Sequence, residues 1–437
     1  MNTPVINVGI LTDKKINFVF NGEYLLDKQS HPFTGEQSAF WENNSFVFNG
    51  QSYNELVFNP IDSSSSFELK AVTIGIDFHW QRKEDQRFNG ALKLVAQKEG
   101  IVVINQIDLE EYLTSVISSE MSATASKELL KAHAVISRGW LLAQIEKNTQ
   151  LIQEENKYNS CYQNEKELIR WYDREDHLLF DVCADDHCQR YQGITKASTP
   201  IVKEVILETR GQVLSFNNKI CDTRFSKCCG GVTEIFEHCW EPISHPYLAT
   251  LRDDKDSSFP DLTKEEEAEK WINTLPKAFC NTKDKTILSQ VLNNYDQETT
   301  DFYRWKVSYT QQELSSLIYK KSSIDFGEII DMIPLKRGTS SRIEKLKIIG
   351  TNKTFTIGKE LEIRRILSET HLYSSAFTVE KRNITDNIPG LFILTGAGWG
   401  HGVGLCQIGA AVMGSQGYNY QKILTHYFPG ASIDIKY

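Results

Sequence analysis

The spacing of apolar and polar residues divides the chain into stretches of different secondary structure. Up to about residue 105, short apolar runs such as 5–11 alternate with polar turns, three of which contain Asn-Gly. Asn-Gly between such runs is a strong signal for a tight turn between antiparallel strands. The first stretch is therefore predicted to be β-rich.

A helical period replaces this pattern near residue 108. Asp108 is a candidate N-cap, because its side chain can accept hydrogen bonds from the first free backbone amides of a helix. A second helix is predicted over 126–147, and it is apolar almost all round, so we expect it to be buried. The apolar residues of the first helix recur at the spacing of one helix face: Leu109, Tyr112, Leu113, Val116 and Ile117.

The remaining chain mixes both patterns. Residues 148–176 are polar and are predicted to form a long surface connection. The run 201–207 is strand-like, whereas 255–320 is charged and has helical spacing. Residues 340–437 return to strands, followed by a short Ala/Gly-rich helix near 407–416.

Together these patterns predict an α+β fold of three regions. The first, over 1–104, is a β-rich N-terminal region. The second, over 105–250, contains the central helices and the candidate catalytic Glu. The third, over 251–437, is strand-rich and is expected to close one cleft with the central helices.

Composition excludes several classes of protein. The 437 residues are 40% hydrophobic, which is enough for a sizeable buried core. Lys and Arg number 48 against 57 Asp and Glu, a net charge of −9 without a basic cluster, so we expect no nucleic-acid partner. The chain has no apolar stretch of about eighteen residues, which predicts no membrane span. Its first residues lack the basic and apolar regions of a signal peptide.

Glu120 is the first candidate for catalysis. It lies eleven residues after Leu109 and so continues the apolar stripe near the C-terminal end of the first helix. Burial and the negative end of the helix dipole both favour the protonated form of such a carboxyl group, as a general acid requires. A helix-terminal Glu that hydrogen-bonds a neighbouring loop has the same pattern, so both interpretations stay open.

Cysteines and histidines form a candidate metal site. His177, Cys183, His187 and Cys188 lie within twelve residues. Two thiolates and two imidazoles are the donor set of a tetrahedral zinc site, and four protein ligands leave no open position. Such a site would be structural; the alternative is a set of unrelated, partly buried residues. A looser second group is predicted to be buried thiols, or disulfide-bonded if the protein is exported: Cys221, Cys228, Cys229 and Cys239.

A glycine-rich segment near the C-terminus is the third candidate. In residues 396–410, six glycines surround Trp399, His401, Cys406 and Gln407. Such density indicates close approach of the backbone to another group or several positive φ angles. The spacing is not that of a phosphate-binding loop. Cys406 paired with His401 could be a nucleophile, and a tight packing turn is the alternative.

These segments resemble, in order, the motifs of the SpoIID/LytB family. The helix ending in Ser-Glu-Met121 is followed by a helix similar to L-K-A-Q-A-V-A-A-R, in which His133 stands where Gln is usual. Cys406 replaces a serine of the family's W-G-H-G-V-G-M-S-Q signature. The blocks that carry the resemblance are 108–121, 130–138, 225–234, 398–410 and 423–430.

The resemblance implies an activity and a set of site residues. Active members of the family cleave the β-1,4 bond between N-acetylmuramic acid and N-acetylglucosamine, leaving 1,6-anhydromuramoyl ends, and Glu120 matches their acid/base. Some members bind zinc through a cluster that His177, Cys183, His187 and Cys188 resemble, so we expect a structural zinc. By their place in the family motifs, five residues are expected to line the cleft: Arg138, Ser226, Thr233, His401 and Gln407.

The family also implies partners and a location. Peptidoglycan glycan strands in the cell envelope are the expected substrate. Members of the LytB type are amidase enhancers, so a non-catalytic glycan-binding modulator of a cell-wall amidase is the second hypothesis. A hydrolase that depends on Cys406 and His401, or on the metal cluster, is the third.

Overall fold

The structure is a computed structural model with both helices and sheets, which confirms the predicted α+β class. Part of the predicted connection 148–176 lies outside the described residues, namely 154–159 and 172–176. The structure describes residues 3–26, 31–75, 81–122, 124–153, 160–171, 177–185, 187–195, 199–291 and 300–437.

The N-terminal region is a sheet, as predicted. Along its second strand, Ile16, Phe18 and Phe20 are buried while Lys15 and Asn17 are exposed, the alternation of a sheet with one covered face. The strands are β1 (Val5–Asp13), β2 (Lys15–Leu26), β3 (Phe33–Glu42), β4 (Ser45–Phe48), β5 (Gln51–Tyr53), β6 (Glu55–Pro60), β7 (Ser66–Ile74), β8 (Arg82–Phe88), β9 (Ala91–Gln97) and β10 (Gly100–Asp108). Their order is β1-β10-β9-β6-β2-β3-β4-β5, and β7 pairs with β2 and β8.

Two long helices follow the sheet. Helix α1 (Leu109–Glu120) begins where predicted, because the Asp108 side chain accepts hydrogen bonds from the backbone amides of Glu110 and Glu111. Helix α2 (Lys127–Gln153) runs beyond the predicted end at 147. Its central residues are buried, as their apolar character predicted.

The middle of the chain corrects two expectations. Residues 201–207 are helical rather than strand-like, because Pro200 suits the first helical turn and Val202, Val205 and Ile206 face the core at helical spacing. Within 148–176 a strand pair joins a C-terminal sheet. The elements are β11 (Cys161–Gln163), β12 (Glu167–Arg170), β13 (Val182–Cys183), α3 (Pro200–Glu208), β14 (Gln212–Phe216), β15 (Lys219–Ile220) and β16 (Phe225–Ser226).

The C-terminal region alternates helices with strands. The described part of the charged stretch 255–320 contains helices, as its spacing predicted, but irregular segments and one strand, which contains Trp305, separate them. The predicted helix near 407–416 is present. The elements are α4 (Glu265–Ile272), α5 (Lys285–Val291), β17 (Arg304–Thr310), α6 (Gln311–Ser322), β18 (Ile329–Arg337), β19 (Ile343–Gly350), β20 (Thr354–Gly358), α7 (Glu360–Ile366), β21 (Phe377–Thr385), β22 (Ile388–Ala397), β23 (Leu405–Cys406), α8 (Gln407–Ser415), α9 (Tyr420–Tyr427) and β24 (Ser432–Ile435).

Two large hydrophobic cores hold these elements together. The first contains Phe58 from the N-terminal sheet, Val116 and Val135 from α1 and α2, and Ile408 from α8. The second lies among β17 to β22 with α6 and α7. The first core therefore crosses both predicted region boundaries, at 104 and at 250. Among the described residues, no helix combines the length and apolarity needed to cross a bilayer.

Candidate functional site

Glu120 occupies the C-terminal end of α1. The helix ends there because Met121 adopts an extended backbone conformation. The five preceding residues, 115–119, are buried, whereas Glu120 itself is partly exposed. Its Oε1 accepts a hydrogen bond from the backbone N–H of Arg190 at 3.2 Å. One carboxylate oxygen is thus positioned by the protein while the group remains accessible to a ligand.

His133 connects the Glu120 neighbourhood to the glycine-rich segment. It is completely buried on α2, with Nδ1 3.2 Å from Ser137 Oγ and Nε2 3.0 Å from the amide nitrogen of Gln407. Burial lowers the pKa of His133 to about 4, although the charge of Glu120 acts in the opposite direction. His133 is therefore neutral at pH 7, and it links the first residue of α8 to α2.

The glycine-rich segment owes its glycines to backbone shape and close packing, as predicted. Gly402 and Gly404 have φ angles of 79° and 72°, in the region that side chains disfavour. A Cβ at Gly404 would lie 2.1 Å from the carbonyl oxygen of Arg224. This close approach lets β23 pair in parallel with β16.

His401 is a packed and neutral residue. Its Nδ1 accepts a hydrogen bond from the Val403 amide at 3.1 Å, and its ring lies edge-on to Trp240 at 4.5 Å. Burial and the neighbouring arginines Arg224 and Arg342 lower the pKa of His401 well below its usual value. The Cys406 thiol is fully buried and groups with other cysteines. These contacts do not form the Cys–His pair considered above.

Two of the five residues expected to line the cleft are buried and hydrogen-bonded within the protein framework. Arg138 is completely buried, and its Nε and Nη2 donate to the Glu110 carboxylate at 3.0 and 2.6 Å. Thr233 is also completely buried; its hydroxyl donates to the Ala249 carbonyl and accepts from the Leu251 amide. A motif position does not reveal whether a polar side chain faces ligand or core.

The other expected cleft residues differ from these two. Gln407 is 2% exposed and is engaged with His133. Ser226 is 6% exposed, and its hydroxyl has no hydrogen-bond partner among the described residues. His401 is half-buried beside Trp240. The structure therefore engages Gln407 with His133 on α2, and a ligand role for Ser226 and His401 stays a prediction.

The four predicted metal ligands do come together. One donor atom from each of His177, Cys183, His187 and Cys188 lies within 4.8 Å of the others. Cys188 Sγ is 3.4 Å from His177 Nε2 and 3.6 Å from His187 Nδ1. A tetrahedral zinc ion with ordinary Zn–S and Zn–N bonds separates sulfur and nitrogen ligands by about 3.6 Å. The residues present therefore fit one zinc ion.

The candidate metal loop also holds Glu120. Cys188 lies two residues before Arg190, whose backbone amide donates to the Glu120 carboxylate. Between them, Gln189 donates to the Ser137 carbonyl on α2. Hydrogen bonding to Cys188 and the two histidines lowers the pKa of the Cys183 thiol, against the opposing effect of burial. The loop thus contributes one hydrogen bond to the position of the Glu120 carboxylate.

We expect Cys183→Ser to remove the metal and to lower the melting temperature by several degrees, because structural zinc contributes directly to the free energy of folding. Metal analysis and thermal denaturation of the purified variant measure both effects. Cys161→Ser, which changes a cysteine outside the cluster, is the matched control. Wild-type protein without bound metal, together with an unchanged melting temperature in the variant, would contradict the prediction.

Glu234 is a buried carboxylate that joins two distant parts of the chain. It is fully buried and accepts hydrogen bonds from the backbone amides and hydroxyls of Thr339 and Ser340, and it also contacts His238 Nδ1 at 2.9 Å. Burial acts to raise the pKa of Glu234, but His238, Ser340 and the Ile235 amide outweigh it and lower the pKa to about 2. The charged form is therefore the stable one.

The Glu234 carboxylate should make the protein sensitive to acid. With its pKa lowered from 4.5 to about 2, its contribution of about 3 kcal/mol is complete above pH 4.5 and is lost as the pH falls toward 2. We expect Glu234→Gln to lose that contribution at pH 7 and to show a shallower decline of unfolding free energy below pH 4.5. Urea denaturation at a series of pH values measures this. Equal pH dependence in both proteins would contradict it.

Two surface cavities lie away from Glu120. One, of about 450 Å³, lies between the 254–287 segment and the end of α8. The other, of about 600 Å³, lies along β2 and β3. Neither is lined by Glu120, so these two cavities are not the predicted cleft.

Comparison with known proteins relates the chain to two described families. Residues 97–216 match the family described as "Stage II sporulation protein". Residues 234–404 match a domain of unknown function, DUF8618. The first match contains Glu120 and the four candidate metal ligands.

Curated relatives cover much of the chain at low identity. An uncharacterized protein of Brachyspira hyodysenteriae is 27% identical over 346 residues, which are 79% of this chain and 72% of that protein. Stage II sporulation protein D of Bacillus amyloliquefaciens is 23% identical over 76% of this chain and 75% of its own length. An amidase enhancer of Bacillus subtilis is 25% identical over 53% of this chain, but only 32% of the enhancer is covered.

Proposed function

The chain belongs to the SpoIID/LytB family, and from this premise we propose that it is a peptidoglycan lytic transglycosylase with Glu120 as general acid/base. The observation that carries the proposal is the position of Glu120. Its carboxylate ends a buried helix, is partly exposed, and has one oxygen held by the Arg190 amide. A proton-transfer group needs this combination of fixed direction and access to substrate.

One carboxyl group is sufficient for the proposed reaction. Protonated Glu120 donates its proton to the glycosidic oxygen as the bond from that oxygen to muramoyl C1 breaks. The resulting carboxylate accepts the proton of the muramoyl 6-hydroxyl as its oxygen bonds to C1. The 1,6-anhydro ring closes, no water is consumed, and Glu120 is again protonated. A hydrolase would normally need a second carboxylate for a water or a covalent intermediate.

The surroundings of Glu120 support this role. Neutral His133 and its partner Gln407 link α8 to α2, which packs against α1, without placing a positive charge on the imidazole. The loop that supplies the Arg190 amide is tied to α2 through Gln189. Both contacts limit movement of the carboxylate relative to a bound glycan strand.

The proposed zinc is structural. His177, Cys183, His187 and Cys188 would hold it, and four protein ligands leave no position for substrate. When bound, the ion cross-links the loop and supplies folding energy rather than reaction chemistry. The residues that act on the substrate are then those of the chain itself.

A second function is favoured by one comparison. The similarity to the amidase enhancer of Bacillus subtilis suggests a glycan-binding modulator of a cell-wall amidase. Such a protein would keep the glycan-binding surface but would not need the acidity of Glu120. Under both proposals the protein acts on peptidoglycan in the cell envelope.

Product analysis distinguishes these functions. The purified chain is incubated with peptidoglycan, both intact and amidase-treated, and released sugars are identified by mass spectrometry. We expect products with anhydro ends. Products with reducing ends would identify a hydrolase and contradict the proposed mechanism. Binding of glycan without release from either substrate would favour the amidase modulator.

A further inference from the structure

A second cluster of metal-binding side chains lies in the first hydrophobic core. Cys229, Asp253, Cys280 and Cys406 each place one donor atom within 4.8 Å of the others, and all four residues are buried. The sequence grouped Cys229 with its neighbours Cys228 and Cys239 instead. Packing has replaced that grouping with residues from four separate segments of the chain.

The distances between the donor atoms suit one small cation. Cys229 Sγ and Cys280 Sγ are 3.7 Å apart. A tetrahedral site with Zn–S bonds of about 2.3 Å has sulfur–sulfur edges of about 3.8 Å. A disulfide requires about 2.05 Å between the sulfurs, and both cysteines are free in the structure. The spacing rules out a disulfide and fits two thiolates on a shared ion.

The Asp253 carboxylate has no cationic side chain bound to it among the described residues. It is completely buried, and its oxygens accept hydrogen bonds from the Tyr427 hydroxyl at 2.6 Å and the Cys280 amide at 2.8 Å. Neutral donors compensate only part of the desolvation of a buried carboxylate. A divalent cation bound by one Asp253 oxygen and the three cysteine sulfurs would supply the positive charge that these neutral donors lack.

We propose that Cys229, Asp253, Cys280 and Cys406 bind a second divalent cation of the zinc type, in a closed site distinct from the His177 cluster. Three sulfur ligands favour a thiophilic ion, and the carboxylate favours zinc over monovalent copper. Binding releases the thiol protons, so the ion takes their place in the core. Because the site is buried and has four protein ligands, it is structural.

The second site would fix the glycine-rich segment. Cys406 is the N-cap residue of α8 and immediately precedes Gln407, which contacts His133. Cys229 follows β16, the strand that pairs with β23. Cys280 brings in the segment between α4 and α5. The ion would hold α8 in register behind the Glu120 neighbourhood, whether or not the protein cleaves glycan.

Metal stoichiometry tests the proposal. The full chain is purified under reducing conditions without chelator, and zinc per chain is measured by plasma mass spectrometry. We expect two equivalents in the wild type, and one each in Cys280→Ser and Cys183→Ser, because each variant loses one site. Cys221→Ser, a buried cysteine outside both clusters, should retain two.

Several outcomes would overturn the second site. These are an undiminished zinc content in Cys280→Ser, or a Cys229–Cys280 disulfide in peptide mapping of the wild type. Zinc lost from Cys280→Ser but retained by Cys183→Ser would uphold the second site and contradict the first. If Cys280→Ser does not fold, Cys406→Ser replaces it.

Cobalt substitution of the wild type provides a test without mutation. The thiolate-to-cobalt absorption should correspond to five sulfur ligands, two from the His177 cluster and three from the second site. Absorption that corresponds to two sulfurs would overturn the proposal.

Discussion

Glu120→Gln is expected to reduce glycan cleavage by about a thousandfold or more, without a change in melting temperature. The amide has the shape of the carboxyl group, and its oxygen can still accept the Arg190 hydrogen bond. It cannot donate a proton to the leaving oxygen or accept one from the 6-hydroxyl. Release of anhydro products from peptidoglycan, measured over time by mass spectrometry, gives the rate.

The same helix offers a matched control for this experiment. Glu111 is an exposed glutamate in the first turn of α1, so Glu111→Gln makes the same chemical change away from the site. We expect it to cleave at the wild-type rate. Glu120→Gln should still bind glycan, since binding does not require the proton. Cleavage by Glu120→Gln at the wild-type rate would disprove the assigned acid/base.

Arg138→Met is expected to lower the free energy of unfolding by about 3–5 kcal/mol, because it leaves the buried Glu110 carboxylate without its ion-pair partner. The remaining donors to Glu110 are the Tyr437 hydroxyl at 2.6 Å and the Gly211 amide at 3.2 Å, both uncharged. Chemical denaturation at pH 7 measures the loss.

A double variant identifies the origin of this effect. In Arg138→Met with Glu110→Gln, no charge is left buried, so we expect most of the lost stability to return. If Arg138 lined the cleft instead, the Arg138→Met protein would be as stable as the wild type but would bind glycan more weakly. That outcome would restore the interpretation of Arg138 as a ligand-binding residue.

Local spacing was sufficient to predict much of the architecture and the best candidate sites. Short apolar runs separated by Asn-Gly turns identified the N-terminal strands, and the capped helical stripe placed Glu120 at the end of α1. The candidate metal ligands His177, Cys183, His187 and Cys188 lie close in sequence, so a short loop can bring them together. Each of these features depends on residues that are near neighbours along the chain.

The tertiary structure determined which polar side chains face the core. Arg138 matched a family motif, but only the fold shows that Glu110 and the Gln212 carbonyl occupy its donors. The run 201–207 has strand-like composition, yet its buried face has the spacing of a helix because it packs against α1 and α2. Propensity is weak compared with burial, so packing decides such cases.

The sequence by itself therefore determined the α+β class, the position of Glu120 and the grouping of His177, Cys183, His187 and Cys188 as a candidate metal site. Only the tertiary structure brought Cys229, Asp253, Cys280 and Cys406 together. It also shows that His401 Nδ1 accepts from the Val403 amide, so the two residues do not form the Cys–His pair that the sequence allowed. The physical reason is distance along the chain. Contacts between neighbours follow from backbone geometry, whereas contacts across 177 residues, as between Cys229 and Cys406, follow from how the whole core packs.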